Sequence, residues 1–210
     1  MNGYRDEDWY RARLAPPRGP VRCVIDTDAA NEIDDQFALA WALLSPRQLQ
    51  VDAVYAAPFS FAHRRAALPH APADAAPFHP PDVGMRRSHE EILRVFALLG
   101  LPAAGRVHRG SPAYLPGPGQ PLRSEAAEHL IASARRMPPH QPLYVLALGC
   151  VTNIASALLL APDIAERIVV VWTSGYPSTT PLVNDSFNLE QDLFASQHLM
   201  NCGVPLVYLP

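Results

Sequence analysis

Val21-Arg22-Cys23-Val24-Ile25-Asp26-Thr27-Asp28 is the stretch on which the reading of this sequence turns. Its first five residues form a short β-branched run, the composition of a buried strand. The run ends on Asp26-Thr27-Asp28, and Asp34-Asp35 follows a short loop later. A helix is expected next, with Phe37, Leu39, Ala40, Leu43 and Leu44 as its apolar stripe. Ser45-Pro46 ends it, because the residue before proline avoids the α region. Val51 to Tyr55 reads as a second strand. Strand, helix and strand at this spacing imply a βαβ unit and a parallel sheet.

The same alternation continues along the chain. Residues 56–88 are rich in Pro, Ala, His and Arg and show no periodicity, as in a long loop. Glu90 to Gly100 reads as a helix ended by glycine. Ser124 suits an N-cap, with Glu125 and Glu128 in the first turn behind it. Leu143 to Leu148 is a strongly apolar strand, and Gly149-Cys150-Val151-Thr152-Asn153 turns the chain into another helix. Ile168 to Trp172 is a further strand, Asp192 to Asn201 a helix, and Val204 to Leu209 one more strand. The expected fold class is α/β, a doubly wound, mostly parallel sheet with flanking helices. Residues 1–20, charged and then proline-rich, read as an N-terminal extension outside a domain that covers residues 21–210.

Composition narrows the chemistry. The chain has 210 residues, 49% of them apolar, enough for one α/β domain with a core. The net charge of −3 makes no electrostatic case for nucleic acid or an anionic membrane as partner. All 17 basic residues are arginine, which removes Schiff-base chemistry and a P-loop lysine. Cys23, Cys150 and Cys202 are widely spaced and form no zinc pattern, so buried reduced thiols are expected. The charged N-terminus is unlike a signal peptide and no apolar run is long enough to span a bilayer, so a cytoplasmic location is the default expectation.

Asp26, Asp28, Glu32, Asp34 and Asp35 put five carboxylates into ten residues beside a buried strand. Crowded like charges raise one another's pKa values or recruit a cation. Hard carboxylate oxygens, with no His or Cys nearby, favour Ca²⁺ or Mg²⁺ over zinc. Helix capping by Asp34 or Asp35 is the plainer alternative, but one cap needs one side chain. A phosphatase-like use of Asp26-Thr27-Asp28 is a further alternative, without a lysine to support it.

Three segments in order resemble the nucleoside hydrolases, the inosine–uridine-preferring N-ribohydrolase family. They are Val24-Ile25-Asp26-Thr27-Asp28 with Asp34-Asp35, Leu148-Gly149-Cys150-Val151-Thr152-Asn153-Ile154-Ala155, and Ser186-Phe187-Asn188 with Asp192. The resemblance implies hydrolysis of the N-glycosidic bond of ribonucleosides with one Ca²⁺. It implies Asp28 as metal ligand and general base, Asp35 and the Thr152 carbonyl as metal ligands, and Asp26 as support for the metal. Asp34 and Asn188 would hold ribose hydroxyls. Family members are often dimers or tetramers, which makes a homo-oligomer a candidate assembly.

The sequence also departs from the family pattern. The loop between Asp28 and Asp34 is longer than the common form, so Asn31 is either loop filler or a substrate contact. Ser186 stands where the family has glutamate, and Asn184 or Asp185 is a candidate replacement in substrate binding. The family continues past the strand at Val204–Leu209 and there supplies a further aspartate ligand and often a histidine acid. The resemblance therefore implies a domain incomplete at the C-terminus. His63, His70 and His79 lie in the irregular loop, either exposed or, for one of them, as the acid on the leaving base.

Overall fold

The computed structural model describes residues 5–70, 72, 78–138, 140–177 and 179–210. In chain order they form α1 (Glu7–Leu14), β1 (Val21–Thr27), α2 (Ile33–Leu43), β2 (Leu49–Ala56), α3 (Pro81–Leu98), β3 (Val107–Arg109) and α4 (Glu125–Arg136). There follow β4 (Leu143–Ala147), α5 (Thr152–Leu160), β5 (Ile168–Thr173), α6 (Phe187–Glu190), α7 (Leu193–Asn201) and β6 (Leu206–Leu209). Short 3₁₀ turns occupy Ala62–Ala67 and Pro162–Glu166.

The six strands form one sheet in the order β3-β2-β1-β4-β5-β6, and every adjacent pair is parallel. This is the doubly wound order, in which the chain first builds outward from β1 to one side and then returns to build on the other. β1 and β4 are therefore neighbours whose following connections leave in opposite directions, and a crevice opens between their carboxyl ends.

Alternation along β1 divides the core into two layers. Val24 packs with Leu130, Ile154, Ile164, Trp172 and Leu199 on the side of α4, α5 and α7. Cys23 and Ile25 pack with Leu39, Ile92, Val95 and Phe96 on the side of α2 and α3. A register shift between Cys23 and Val24 lets β2 present both Val51 and Val54 to the second layer.

Several sequence expectations are met and others are displaced. Ser124 caps α4 by accepting from the Ala127 N–H, and Asp192 caps α7 by accepting from the Ala195 N–H. The stripe expected on α2 is rotated. Leu39, Ala42 and Leu43 face inward, whereas Phe37 and Leu44 are exposed. The helix is apolar on both sides, so periodicity could not say which face meets the sheet. α3 starts at Pro81, nine residues before the expected Glu90, because a proline at the first helical position begins a helix as readily as it ends one. The extension carries an unforeseen helix, α1, which buries no residue and is tied down by a Tyr10 hydroxyl donating to the Gly203 carbonyl at 2.7 Å. Within the expected loop, residues 71 and 73–77 lie outside the described residues.

Gly84 shows packing overruling propensity. It lies in α3, where alanine is ordinarily better by about 1 kcal/mol. A Cβ there would overlap the carbonyl oxygen of Phe59 and come within 2.9 Å of its ring. Gly84→Ala should therefore destabilise the protein by about 1–3 kcal/mol in urea unfolding. A gain in stability would show that α3 does not sit this close to the chain after β2.

Candidate functional site at the carboxyl ends of β1 and β4

β1 carries Asp26 into the crevice in full ladder register, opposite Tyr55 of β2 and Ala147 of β4. Pairing continues just past the strands: Leu148 N–H donates to the Asp26 carbonyl at 2.8 Å, and Ala57 N–H to the Thr27 carbonyl at 2.9 Å. Asp28 is thus delivered from a rigid strand end. The loop after it is knitted by its own side chains. The Asn31 amide donates to Asp28 Oδ2 at 3.1 Å, and Gln36 to the Ala29 carbonyl at 3.1 Å. The Thr27 hydroxyl donates to Asp35 Oδ1 at 2.8 Å, which fixes the first turn of α2 against β1. Helix capping does not explain these carboxylates. The cap position of α2 is Glu32, which makes no side-chain capping bond.

Asp26, Asp28 and Asp35 are all buried. Loss of water pushes the Asp26 carboxyl up to about 7, against a lowering bond from Asn153. Burial likewise lifts Asp35 to about 7, and Asp34 and Glu32 add like-charge repulsion to it. Asp28 is held well above the carboxylate range, first by burial and then by the neighbouring Asp35. One oxygen of Asp26, Oδ2, is buried without a hydrogen-bond partner.

The opposite wall comes from β4, β5 and α6. Gly149 follows β4, and a Cβ there would lie 2.6 Å from Asp28 Oδ1. Only glycine leaves room for the carboxylate. The Trp172 indole N–H holds the Gly149 carbonyl at 3.0 Å. From α6, the Asn188 amide nitrogen donates to the Leu148 carbonyl at 2.6 Å and the Thr173 carbonyl at 3.0 Å. Both neighbours are acceptors, so the nitrogen is spent on the protein and the amide oxygen remains for a ligand.

Asp28, Asp34, Asp35 and Asn188 line one cleft of about 360 Å³, with Glu32 and Ser174 beside them. Asn31 reaches it through its bond to Asp28. The other expected site residues lie apart from this lining. The Asp26 carboxylate turns to Asn153, whose amide donates to it at 2.9 Å. The Thr152 hydroxyl donates to Asp192 Oδ2 at 2.7 Å, so this side chain ties α5 to α7. Asn184 is consumed structurally, donating to the Tyr208 hydroxyl at 2.8 Å and accepting from the Ser186 N–H at 3.1 Å. Ser186 itself pairs with Ser174 at 2.8 Å between the hydroxyls. Among the described residues no histidine lines the cleft. His63 is bonded to Glu190 at 2.7 Å, and its ring is 5.8 Å from that of Phe187, a cleft residue.

Sequence reasoning gave no role to Asn153, which joins more elements here than any expected ligand. It bonds Asp26, accepts from the Ser111 N–H at 2.7 Å, and reaches the Ala56 carbonyl at 3.4 Å. The available signal was an asparagine in the first turn of an otherwise apolar helix.

The donors fit a hard cation in kind. Asp28 and Asp35 are buried, repel one another, and offer only oxygen. Among the described residues, however, no group of three or more His, Cys, Asp or Glu side chains is gathered to hold a metal ion. Two carboxylates leave the remaining coordination to backbone oxygens, water or substrate.

No family model matches the sequence, and no curated protein matches it. Solved structures do. A plant nucleoside hydrolase aligns over 90% of this chain with a TM-score of 0.63 at 21% identity. The chain has the fold of the nucleoside hydrolases. A purine-preferring ribonucleoside hydrolase from Gardnerella vaginalis aligns over 88% with a TM-score of 0.62 and 21% identity. The type III effector XopQ, solved with adenosine diphosphate ribose, aligns over 93% with a TM-score of 0.59 and 17% identity. In each case the chain spans 59% of the other protein's length. No described helix is long and apolar enough to cross a membrane.

Two outcomes test the site. Gly149→Ala should displace Asp28, lowering thermal stability and weakening any cation affinity together; a variant with unaltered melting and cation response refutes the close approach. The second concerns pH. The folded chain keeps protons on Asp26 and Asp35 up to about 7, whereas unfolded aspartates release theirs near ~4. The native state thus binds more protons in that window, and stability falls as pH rises through it. Melting curves in chelator from pH 4.5 to 8 should show the wild type losing stability relative to Asp26→Asn. A pH-independent difference would mean that Asp26 is not a buried, neutral acid.

Proposed function

We propose that this chain hydrolyses the N-glycosidic bond of ribonucleosides, converting nucleoside and water into ribose and free base, with Ca²⁺ as cofactor. One observation carries the reading: Asp28, Asp34, Asp35 and Asn188, from two separate parts of the chain, converge on one cleft at the crossover point of the sheet. Ligands of such sheets bind there. The fold shared with nucleoside hydrolases supports the assignment. XopQ, with its adenosine diphosphate ribose, supports a ribosyl ligand in this fold.

Each side chain has a task that its chemistry suits. Asp34, exposed at the first turn of α2, and the Asn188 amide oxygen accept hydrogen bonds from ribose hydroxyls. Asp28 and Asp35 would hold the cation, with Asp26 fixing the strand end behind them and the Thr152 carbonyl as a further donor. When bound, Ca²⁺ supplies the charge that acidifies a water and orients the sugar hydroxyls. Asp28 would take a proton from a water in the cleft as the water's oxygen adds to the anomeric carbon. The bond from that carbon to the base nitrogen breaks, and the electron pair leaves with the base. Positive charge grows on the ribosyl ring during this step, and the buried carboxylates stabilise it. Such a reaction would serve purine and pyrimidine salvage.

A second reading keeps the pocket without turnover, as a nucleoside- or ribose-binding protein. The two-carboxylate donor set among the described residues favours it. Free-base release from a panel of ribonucleosides, with Ca²⁺ and with chelator, separates the two. Hydrolysis should require Ca²⁺ and drop at least ~100-fold in Asp28→Asn. Calorimetric binding of nucleoside without released base would replace hydrolysis by the second reading. Raised carboxyl pKa values also make cation binding release protons. Ca²⁺ should therefore bind more weakly at pH 6 than at pH 8, and equal affinity at both would argue against Asp28 and Asp35 as its ligands.

A further inference from the structure

The amino ends of the strands, at the opposite end of the sheet from the cleft, border a second cavity of about 900 Å³. Val21 and Arg22 at the start of β1, Gln50 of β2 and Tyr144 of β4 line its floor. Trp9, Ala12 and Arg13 cover it from α1, at i, i+3 and i+4 on one helix face. The cavity touches Val21 and the cleft touches Asp28, seven residues on, so β1 sets them roughly 23 Å apart at about 3.3 Å per residue. α1 has no reason in the core to lie here. It buries no residue, and its 8 residues are too few for a stable isolated helix. It is pinned from outside the cavity, by the Tyr10 hydroxyl donating to the Gly203 carbonyl and by an ion pair between Arg5 and Glu166. The half-buried Trp9 ring is thus held at a cavity rather than in a core.

The walls select for charge and shape. Among the described residues that line the cavity there is no carboxylate, although acids outnumber arginines in the chain by 20 to 17. Arg13, Arg18, Arg22 and His140 line it instead. Arg22 is engaged by Asp52 at 2.7 Å, whereas Arg18 makes no hydrogen bond or ion pair with a described residue. The Arg13 guanidinium lies 5.3 Å from the centre of the Trp9 ring, so cation and aromatic surface are presented at one place. Guanidinium groups donate in a fork that matches phosphate. Aromatic side chains stack on planar heterocycles whatever the ring substituents. The volume is that of a small-molecule site.

We propose that this cavity binds an aromatic phosphate monoester, the class that includes nucleoside monophosphates, with the phosphate on Arg13 and Arg18 and the planar ring against Trp9. Such a ligand would fasten α1 to the amino ends of β1 and β4. The site shares no lining residue with the cleft and does not depend on which reaction the cleft performs.

The test is calorimetric titration of adenosine monophosphate into the 210-residue chain in chelator, with indole fluorescence followed in parallel. Adenosine and inorganic phosphate are separate arms. The nucleotide should bind saturably, at least ~10-fold tighter than either fragment, and quench indole emission. Arg18→Ala and Trp9→Ala should each weaken it at least ~10-fold. Neither should change the melting of the unliganded chain, because neither residue is buried. Asp34→Ala, in the cleft, should leave nucleotide affinity unaltered. No heat at ~1 mM nucleotide overturns the proposal. So does adenosine binding as tightly as the nucleotide, which would leave the arginines without a role. Phosphate binding as tightly would do the same for Trp9. Affinity lost in Asp34→Ala and kept in Arg18→Ala would put the nucleotide in the cleft and overturn the second site.

Discussion

Between β1 and β4 the sheet changes its direction of growth, and there the buried carboxylate of Asp26 must be satisfied without water. A hydrogen bond from the Asn153 amide satisfies one of its oxygens, Oδ1, and leaves Oδ2 without a partner. Its donor sits in the first turn of α5 and its acceptor on the central strand. The same asparagine accepts from Ser111 and reaches the end of β2 at Ala56. Removing it would leave a charge-prone group and a backbone N–H unpaired in the core, each costing about 1–3 kcal/mol. The relative heights of β1, β2 and α5 at the carboxyl edge are set by these bonds.

Two glycines follow from that arrangement. Gly110 lies where a side chain would collide with Asn153 and the Ala56 carbonyl, and Gly149 lies where one would collide with Asp28. Backbone approach, rather than unusual dihedral angles, explains both, since neither has positive φ. The chain has thus given up side chains on both sides of the crevice so that carboxylates and their partners can fill it. The Trp172 indole then secures Gly149 from β5, so the far side of the sheet also reports to the cleft.

This division explains what the sequence could and could not reveal. Asp26-Thr27-Asp28 with Asp34-Asp35 was legible because charge crowding beside a β-branched run violates ordinary burial preferences. The parallel sheet was legible from strand–helix alternation. Asn153 was hidden because its partners, at positions 26, 56 and 111, are far away in sequence. Asn184, near Phe187-Asn188 in sequence, is tied in the fold to a residue far along the chain, its amide donating to the Tyr208 hydroxyl of β6. For α2, residues apolar on two faces gave a correct element with the wrong stripe. Identity to a solved structure of the same fold is only about 21%, so spatial comparison finds the likeness where sequence comparison finds nothing.

Burial and function pull against each other at the cleft. Asp28 and Asp35 cost stability as anions, and helix α2 starts without a side-chain capping bond although acids stand at its first turn. A protein optimised only for stability would place neutral or apolar groups here. Strain of this kind concentrates where a ligand compensates for it. A hard cation would neutralise the pair, and a sugar would satisfy the acceptors that remain on Asp34 and Asn188.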